Sequence, residues 1–501
     1  MQLHAIPVII RERLYLPKSK ELPEDLFKDL KRIFIHTNVN YYNTIRLGYY
    51  ADESTRYRET FADDVYDDAF PGISCLAIPR GGTNKVRHTL EKYGYQPWWL
   101  DHRYCKRLQL DKFYINNVEL WPEQERLVEA MLKHENCLIK SPTASGKTEA
   151  ALKLVEYLLQ KAGPVLIIVW EGSPKSGLMK QWIDRILQRF EIQRDEIGVI
   201  GGGIKRVRDI TVGMQQTLRN CVDDYTGCFG SVICDEVQRF AANTFQDVIE
   251  KFPAKYRIGI SADESRKDKM EGLIYDMFGD VVEEIDPEVL LSKNLICPVG
   301  VRVIPTTFNY FANVAGEACP WVELPSELKD FNDFLGMMYT NQDRETLIAS
   351  FLLPCLEAGN ITLVTTYRVE HAKKWREFLI SEGYQCGLMI GGAEYVNEFE
   401  ISAEGLRKKE IQVAVGTIQK MSTAHDIPSL ERCFVLGPLA GNRQLFNQMK
   451  GRIGRTAPGK TQAYLYYFWD ERCYPRHMSQ LMKAKNDIEL YDWNSGRFLR
   501  V

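Results

Sequence analysis

The chain has 501 residues, more than one hydrophobic core usually organises, so we expect about two to four domains. Its composition, 45% hydrophobic and 26% charged, is that of an ordinary soluble globular protein and excludes a low-complexity or fibrous chain. The net charge of -3 excludes an overall basic signature, so a nucleic-acid surface would need its basic residues concentrated along one track.

The first residues lack the features of an export signal. MQLHAIPVIIRERLYL has no basic stretch followed by a long apolar segment, and no apolar run elsewhere is long enough to span a membrane. The twelve cysteines are scattered and form no CxxC pair. This pattern predicts reduced, mostly buried thiols and no zinc site. We therefore expect a cytoplasmic protein.

Residues 1–110 predict a small α/β domain. ELPEDLFKDLKRIF has helical spacing after a proline, and TNKVRHTLEKYG predicts a second helix that ends at a glycine. Between these helices, NTIRLGYY and SCLAIPR are strand-like stretches.

From about residue 111, continuous apolar runs alternate with helical segments. NCLIKSP and PVLIIVW are each followed by a helix, and the runs DITVG, GSVICDE and YRIGISA come after them. Such runs are typical of parallel strands covered on both faces. The pattern stops near 281–345 and resumes from NITLVTTY to TQAYLYYFWD. We predict two tandem α/β domains, residues 111–288 and 289–501.

The segment SPTASGKT, residues 141–148, lies between a predicted strand and a predicted helix. Gly146 would let the backbone approach phosphates, Lys147 would place a charge beside them, and Thr148 would offer a hydroxyl to Mg²⁺. Ser141 and Ala144 stand where glycine is common in such loops; the alternative is a simple turn before a helix. The nucleotide contacts predicted here are Pro142, Thr143, Ala144, Ser145, Gly146, Lys147 and Thr148.

Two further segments predict the remaining parts of a phosphate-transfer site. In SVICDEVQ an apolar strand ends in Asp235, which would hold Mg²⁺, and Glu236, which would orient and deprotonate water. In LFNQMKGRIGRTAPGK, Gln448, Arg452 and Arg455 have helical spacing, and a glycine precedes each arginine. A helix cap and a solvated basic face are the ordinary alternatives for these two segments.

Together SPTASGKT, DEVQ, SAD and QMKGRIGR resemble the motifs of superfamily 2 helicases, over about residues 111–475. The resemblance implies two RecA-like domains with ATP and Mg²⁺ in the cleft between them. Ser261 matches the third motif, and Arg452 and Arg455 match the motif whose arginines reach the γ-phosphate. WPEQERLVEAML resembles the adenine-recognition segment, which makes Gln124 a nucleotide contact together with Gln448.

The resemblance also implies contacts to nucleic acid. IIVWEGSPKSGLMKQW, ITVGMQQTL, LVTTYRVEHA and VGTIQKMSTAHDIPSL resemble four further helicase motifs, with Asp426 and Thr417 as participants in the last. Gln238 stands where histidine is common, and Ala424-His425 where glycine is common. The predicted nucleic-acid contacts are Lys175, Gln215, Thr365 and Thr417 in the motor and Arg46 and Arg80 in residues 1–110.

The order of elements in residues 1–110 is similar to the leading domain of bacteriophage UvsW-type helicases. This implies unwinding or branch migration of forked, junction or single-stranded DNA, with phage recombination or replication proteins as partners. Three alternatives stay open: an RNA helicase with the same motor, a non-catalytic clamp that binds ATP and nucleic acid, and the motor subunit of a restriction system. No nuclease constellation is evident in the sequence.

Overall fold

The computed structural model describes residues 4–46, 50–240, 242–262, 270–310, 331–423, 427–438, 443–474, 477–483 and 487–501. It divides into two compact units. The first consists of Met1–Pro142 and Gly146–Asp286, and the second of Thr143–Ser145 and Pro287–Val501. The predicted participant Asp426, and Ala424 and His425 beside it, lie outside the described residues.

The first unit begins with a small α/β domain. Its elements are β1 (His4–Ile10), β2 (Arg13–Pro17), α1 (Glu24–Ile33), β3 (Ile35–Thr37), α2 (Val39–Arg46), β4 (Tyr57–Glu59), β5 (Ala62–Tyr66), β6 (Ser74–Pro79), α3 (Thr83–Lys92) and β7 (Tyr95–Asp101). Five of the strands form a sheet in the order β5-β6-β2-β1-β7, in which only β1 and β7 run parallel. The buried faces of α1 and α3 pack on this sheet through a cluster that includes Leu26, Leu30, Val86 and Leu90.

One prediction for this domain is wrong. The stretch NTIR, expected as a strand, forms the end of α2, while the residues 47–49 that follow it lie outside the described residues. Tyr41 is the side chain of α2 that enters the core. The neighbouring residues of α2 are mostly polar, so the segment forms a helix with one side chain in the core. The apolar periodicity of so short a stretch does not distinguish such a helix from a strand.

The rest of the first unit is a parallel α/β domain. Its elements are α4 (Pro122–Lys133), β8 (Asn136–Lys140), α5 (Lys147–Ala162), β9 (Val165–Val169), α6 (Gly177–Arg189), β10 (Ile197–Gly201), β11 (Ile204–Arg206), β12 (Ile210–Met214), α7 (Gln215–Arg219), β13 (Ser231–Asp235), α8 (Ala242–Ile249), β14 (Tyr256–Ser261), α9 (Gly272–Phe278) and β15 (Val281–Glu284). The sheet order is β11-β10-β12-β9-β13-β14-β8-β15, with only the β10–β11 pair antiparallel.

The apolar runs explain this sheet. Every residue of β9 and of β13 is buried, as expected for central parallel strands with helices on both faces. Because the strands are parallel, the loops after β8, β9, β12 and β13 all leave the sheet at the same edge. Apart from Gln124 on α4, the residues predicted to bind nucleotide and nucleic acid in this domain lie on those loops or at the strand and helix ends beside them.

The small domain is joined to the parallel domain by buried polar contacts. Asp276 of α9 accepts hydrogen bonds from His36 Nε2 at 2.5 Å, from Thr60 Oγ1 at 2.6 Å and from Lys85 Nζ at 3.0 Å. Gly81 lies so close to the end of α9 that an added Cβ would come within 2.2 Å of the Tyr275 carbonyl oxygen. The two domains of this unit are therefore held together by fixed backbone and side-chain contacts.

The second unit contains another parallel α/β domain. Its elements are α10 (Pro287–Ser292), β16 (Val299–Pro305), α11 (Phe331–Thr340), α12 (Gln342–Glu357), β17 (Thr362–Thr366), α13 (Val369–Ser381), β18 (Cys386–Met389), α14 (Val396–Lys408), β19 (Val413–Thr417), α15 (Ile418–Thr423), β20 (Arg432–Val435), α16 (Arg443–Ile453), β21 (Ala463–Trp469), α17 (His477–Lys483), β22 (Ile488–Asp492) and β23 (Arg497–Arg500). The sheet order is β18-β19-β17-β20-β21-β16-β22-β23, with only β22–β23 antiparallel.

The predicted fold class is confirmed: two tandem sheets of the RecA-like type follow a small α/β domain. The eleven cysteines among the described residues are free thiols, most of them buried. Within the described part of the chain, no helix has both the length and the apolar character needed to cross a bilayer.

Candidate nucleotide site

The loop between β8 and α5 has the conformation of a phosphate loop. Ser141 donates its backbone N–H to the Ser261 carbonyl oxygen at 2.9 Å, which ties the start of the loop to the end of β14. Gly146 caps α5 with a left-handed φ of +73°, and the helix begins at Lys147. The N-terminal N–H groups and dipole of α5 therefore face the loop, as anion binding requires.

Two positions show why this loop favours glycine. Gly146 has a φ of +73°, a conformation that favours glycine, and a Cβ there would come within 2.1 Å of the Gln124 side-chain nitrogen, so that side chain would have to move. Ala144, which stands where glycine is common, adopts a left-handed φ of +72°. That conformation costs an L-residue about 1–2 kcal/mol, which the loop tolerates at this position.

Gln124 lies against the loop rather than in solvent. It is 2% exposed; its Oε1 accepts the Trp121 backbone N–H at 3.0 Å, and its Nε2 donates to the Gly146 carbonyl oxygen at 3.4 Å. The amide thus fixes both the start of α4 and the glycine at the start of α5. Its expected role at the adenine edge stays a prediction.

Asp235 ends β13 at the carboxyl edge of the sheet and is 3% exposed. Its Oδ2 accepts a hydrogen bond from Trp182 Nε1 at 3.0 Å. No described group donates to its Oδ1, which is buried. Burial raises the pKa of Asp235 to about 6, an effect that the neighbouring Glu236 reinforces and Lys147 opposes.

Glu236 connects the phosphate loop to β14. Its carboxylate accepts hydrogen bonds from Lys147 Nζ and from Gln238 Nε2, while Gln238 Oε1 accepts from Ser261 Oγ at 2.7 Å. Burial opposes ionisation of Glu236, but the Lys147 ammonium and the Gln238 amide hold its pKa below the ordinary value. Gln238, predicted to change the coupling at the position where histidine is common, here bridges Glu236 and Ser261.

The donor set fits a Mg²⁺–nucleotide complex. Asp235 offers one buried carboxylate oxygen that has no donor among the residues the structure describes, and Thr148 lies in the first turn of α5, next to Lys147. Mg²⁺ is commonly held by one or two protein oxygens together with phosphates and water, so no larger cluster of ligands is required. The Lys147 ammonium has a carboxylate partner that a phosphate could replace.

In the second unit, the predicted arginine pair is only partly helical. Gln448 and Arg452 lie within α16, but the helix ends at Ile453 and Arg455 follows in the next turn. The expectation that both arginines share one helix face is therefore wrong. The Gly454 carbonyl oxygen, which follows the last helical residue, accepts the Cys297 N–H at 2.7 Å and so directs the chain out of the helix.

Four predicted nucleic-acid contacts lie at the ends of elements. Lys175 is exposed in the loop between β9 and α6, and Gln215 begins α7 directly after β12. Since β9 and β12 are neighbours, these two residues share one edge of the first sheet. Thr417 ends β19 in the second unit, and Arg46 is exposed at the end of α2.

Two predicted contacts are contradicted by burial. Arg80 is 1% exposed, and its guanidinium donates to the carbonyl oxygens of Ala254 at 2.6 Å and Lys255 at 2.9 Å. It joins the small domain to the parallel domain and has no surface for a phosphate. Thr365 is fully buried within β17, where its hydroxyl donates to the Phe434 carbonyl oxygen at 3.2 Å.

The sequence analysis missed Trp182 as part of the site. It lies one turn into α6, within the segment that resembles a nucleic-acid motif, and is 1% exposed. Its only signal in the sequence is a tryptophan on the apolar face of a helix, which usually indicates core packing. The hydrogen bond to Asp235 depends on the sheet order, because β9, which precedes α6, lies beside β13.

This fold defines the class of protein: a chain with two tandem RecA-like domains and a glycine-lysine loop between β8 and α5. Residues 117–264 match the family model described as "Type III restriction enzyme, res subunit". "Probable helicase D10" of Escherichia phage T5 is 26% identical over 345 residues, 65% of this chain and 66% of that protein. "DNA 3'-5' translocase XPB2" of Sulfurisphaera tokodaii is 27% identical over 228 residues, 46% of this chain and 48% of that protein. These matches identify the chain as a homologue of the superfamily 2 helicases.

Solved structures are similar to this chain, and one of them, with a TM-score above 0.5, shows the same fold. An HsdR subunit fragment of a type I restriction enzyme from Vibrio vulnificus YJ016 covers 75% of this chain and 68% of its own, with 16% identity and a TM-score of 0.53. UvsW of phage T4 covers 93% of this chain and 91% of its own, with 17% identity and a TM-score of 0.42. The chain spans between about half and two thirds of the length of the two curated relatives.

Proposed function

We propose that this chain is an ATP-driven DNA helicase or translocase that unwinds or branch-migrates forked and junction DNA, as phage replication, recombination and repair require. The observation that carries the proposal is the arrangement of three side chains at one sheet edge. Lys147 pairs with Glu236, and the adjacent Asp235 keeps a buried oxygen to which no described residue donates. This set would bind a nucleoside triphosphate and position a water for attack on the γ-phosphate.

Each side chain has a separate part in hydrolysis. The phosphate loop, residues 142–148, would hold the phosphates through its N–H groups and Lys147. Asp235 and Thr148 would hold the Mg²⁺, which would supply charge neutralisation at the phosphate oxygens. When Lys147 turns to the phosphates, Glu236 is released to accept a proton from the attacking water. Gln238 keeps Glu236 connected to Ser261 at the end of β14. We infer that Arg452 and Arg455 stabilise the charge that develops on the γ-phosphate.

DNA is the proposed track for two reasons. One similar protein is named a DNA 3'-5' translocase, and another is named a helicase of a phage. Within the proposed domains, 1–110, 111–288 and 289–501, the exposed residues Lys175 and Arg46 would meet phosphates. Gln215, the first residue of α7, and Thr417, the last residue of β19, are only 6% and 7% exposed and stay predicted contacts. Phosphate contacts suit translocation because they carry no base information. Phage recombination or replication proteins are the proposed partners.

Two alternatives have specific observations in their favour. A mimivirus relative, 29% identical over 176 residues, is named as an RNA helicase. The family model and one solved structure carry the names of restriction enzymes, whose motor subunits would use the same site. Measuring ATPase stimulation by forked DNA, duplex DNA and RNA separates these tracks. Stimulation by RNA alone would contradict the proposal.

The decisive variant is Glu236→Gln. It keeps the size of the side chain and removes the base, so nucleotide binding should persist while turnover falls by about 10²–10³-fold. The matched control is Glu129→Gln, an exposed carboxylate on α4. If Glu236→Gln remodelled forks and four-way junctions as well as the wild type does, the chain would be a non-catalytic clamp and the proposal would fail.

A further inference from the structure

A tight turn at residues 457–460 follows α16 and brings Lys460 back to the carboxyl end of that helix. The Lys460 N–H donates to the Ala457 carbonyl oxygen at 3.0 Å, which closes a four-residue turn with Pro458 and Gly459 at its centre. Gly459 has a left-handed φ of +80°, and proline before such a glycine is typical of a type II turn. The sequence APGK therefore sets the position from which the Lys460 side chain starts.

The Lys460 ammonium converges on three backbone carbonyls. Nζ donates to Ile453 O at 2.6 Å, to Arg455 O at 2.8 Å and to Pro428 O at 3.0 Å. An ammonium has three N–H donors, so these bonds use all of them. Two of the acceptors lie at the carboxyl end of α16, where the helix dipole also favours a cation.

Together with one backbone bond, this ammonium holds three consecutive peptide groups. Lys460 takes the carbonyls of residues 453 and 455, and the Cys297 N–H takes the carbonyl of Gly454 at 2.7 Å. A Cβ on Gly454 would come within 3.2 Å of Val299 and 3.4 Å of the Cys297 carbonyl oxygen, so the chain approaches β16 closely at this point. The backbone that carries Arg455 is therefore fixed on both sides.

We propose that Lys460 is a positioning residue for Arg455: it fixes the end of α16 so that the guanidinium is presented for ATP hydrolysis. Through Pro428 it also joins this turn to the segment that resembles the fifth helicase motif. The inference rests on the proposed function, because it assumes that Arg455 acts on the γ-phosphate. Lys460 is therefore needed for full turnover although it does not contact the nucleotide.

The test compares turnover with nucleotide affinity. Lys460→Met keeps the length of the side chain and removes all three donors. We expect kcat for ATP to fall about 10–100-fold, since misplacing a catalytic group by ~1 Å can cost about 10²-fold, while the affinity for ADP stays within about twofold. The matched control is Lys408→Met, an exposed lysine of α14 in the same unit, which should keep wild-type turnover. A wild-type kcat in folded Lys460→Met would overturn the inference.

A double-mutant cycle shows whether Lys460 acts through the arginine. Arg455→Ala should lower kcat by about 10³-fold or more, and adding Lys460→Met to it should change kcat by less than about twofold. An equal further loss in the double variant would mean that Lys460 acts by another route and would contradict the inference. Near-normal turnover in Arg455→Ala would instead contradict the proposed function. Thermal melting checks folding; if Lys460→Met does not fold, Lys460→Gln replaces it under the same criteria.

Discussion

Buried charges serve opposite purposes at two places in the first unit. Where the small domain meets the parallel domain, Asp276 accepts three hydrogen bonds and Arg80 donates to backbone carbonyls on both domains. At the phosphate loop, Asp235 keeps one oxygen without a donor among the described residues, and Lys147 and Glu236 pair with each other. In the first set, no buried polar side-chain atom of Asp276 or Arg80 lacks a partner, whereas the second set has capacity for a ligand.

This difference separates structural from functional charge. Burying a charge is costly unless all of its hydrogen-bonding capacity is used, so a saturated group is held in one place and stabilises the fold. A buried group with unused capacity is a place where a ligand can complete the set. Replacing side chains at the two places should therefore give opposite results in stability and in turnover.

Of the substitutions at these two places, Lys147→Ala should produce the largest change in activity. The variant removes the charge that faces the phosphates and leaves Glu236 with its Gln238 partner. We expect ATP turnover to fall by about 10²–10³-fold or more, with little change in the free energy of unfolding. Steady-state ATPase assays and thermal melting measure the two quantities. Near-normal turnover would overturn the assignment of the phosphate loop.

Arg80→Met should show the reverse behaviour. Removing the guanidinium leaves the carbonyl oxygens of Ala254 and Lys255 buried without their donors, which should cost about 3 kcal/mol in the free energy of unfolding. The salt dependence of DNA binding should not change, because Arg80 meets no phosphate. Chemical denaturation and binding at several salt concentrations test this.

Arg46→Met is the matched control, since Arg46 is exposed on the same domain. If Arg46 contacts a phosphate, its loss should lower the slope of log K against log salt by about 1 and leave stability unchanged. If Arg80→Met instead lowered the slope of log K against log salt and left stability unchanged, the phosphate contact predicted for Arg80 from the sequence would be supported.

The sequence predicted both parallel sheets because their signal is local. The interior strands β8, β9 and β13 are continuous apolar runs, and a phosphate loop, an acidic pair or a polar turn follows each at the same end. The site in the first unit was predictable for the same reason: Lys147, Asp235 and Glu236 all stand at carboxyl ends of such runs. Parallel pairing then brings those ends to one edge without further information.

The remaining features depend on partners that are distant in sequence. Arg80 stands beside two glycines, a pattern typical of an exposed turn, and only its packing against residues 254 and 255 shows that it is buried. Arg455 has helical spacing from Arg452, but α16 ends before it. The Cys297 N–H and Lys460 Nζ donate hydrogen bonds to carbonyl oxygens at the end of this helix. Neither local periodicity nor motif spacing contains these contacts.

Trp182→Phe tests the hydrogen bond to Asp235 at the phosphate loop. The change keeps an aromatic ring in the core and removes the N–H donor, so Asp235 loses the group that orients it. Because partners of this kind typically change metal affinity by about 10–100-fold, we expect the Mg²⁺ concentration for half-maximal nucleotide binding to rise by about tenfold. Mg²⁺ titrations of a fluorescent ADP analogue measure binding without turnover.

Trp375→Phe is the control for this change. Its indole N–H donates to His371 Nε2 at 3.0 Å in the second unit, and its side chain is 3% exposed. It should lower stability by about the same amount as Trp182→Phe and leave the Mg²⁺ titration unchanged. An equal shift of the Mg²⁺ titration in both variants would show that lost packing, and not the orientation of Asp235, causes the effect.

The smallest expected effect is a dependence of turnover on alkaline pH. Burial lowers the pKa of Lys460 from 10.5 to about 8, with Cys297 and Glu431 opposing this shift and Arg455 and Arg432 adding to it. Above pH 8 the amine becomes neutral and turns a lone pair toward one of its carbonyl acceptors, so we expect kcat to fall by up to about tenfold.

Stability should move in the opposite direction over the same range. Between pH 8 and pH 10.5 the unfolded chain binds the Lys460 proton more readily than the folded chain does, so this group's contribution to the free energy of unfolding rises with pH. Loss of turnover near pH 8 with retained stability therefore distinguishes local repositioning of Arg455 from unfolding. The decline should be absent from Lys460→Met, whose kcat is already low. A decline of the same size and midpoint in that variant would assign it to another group.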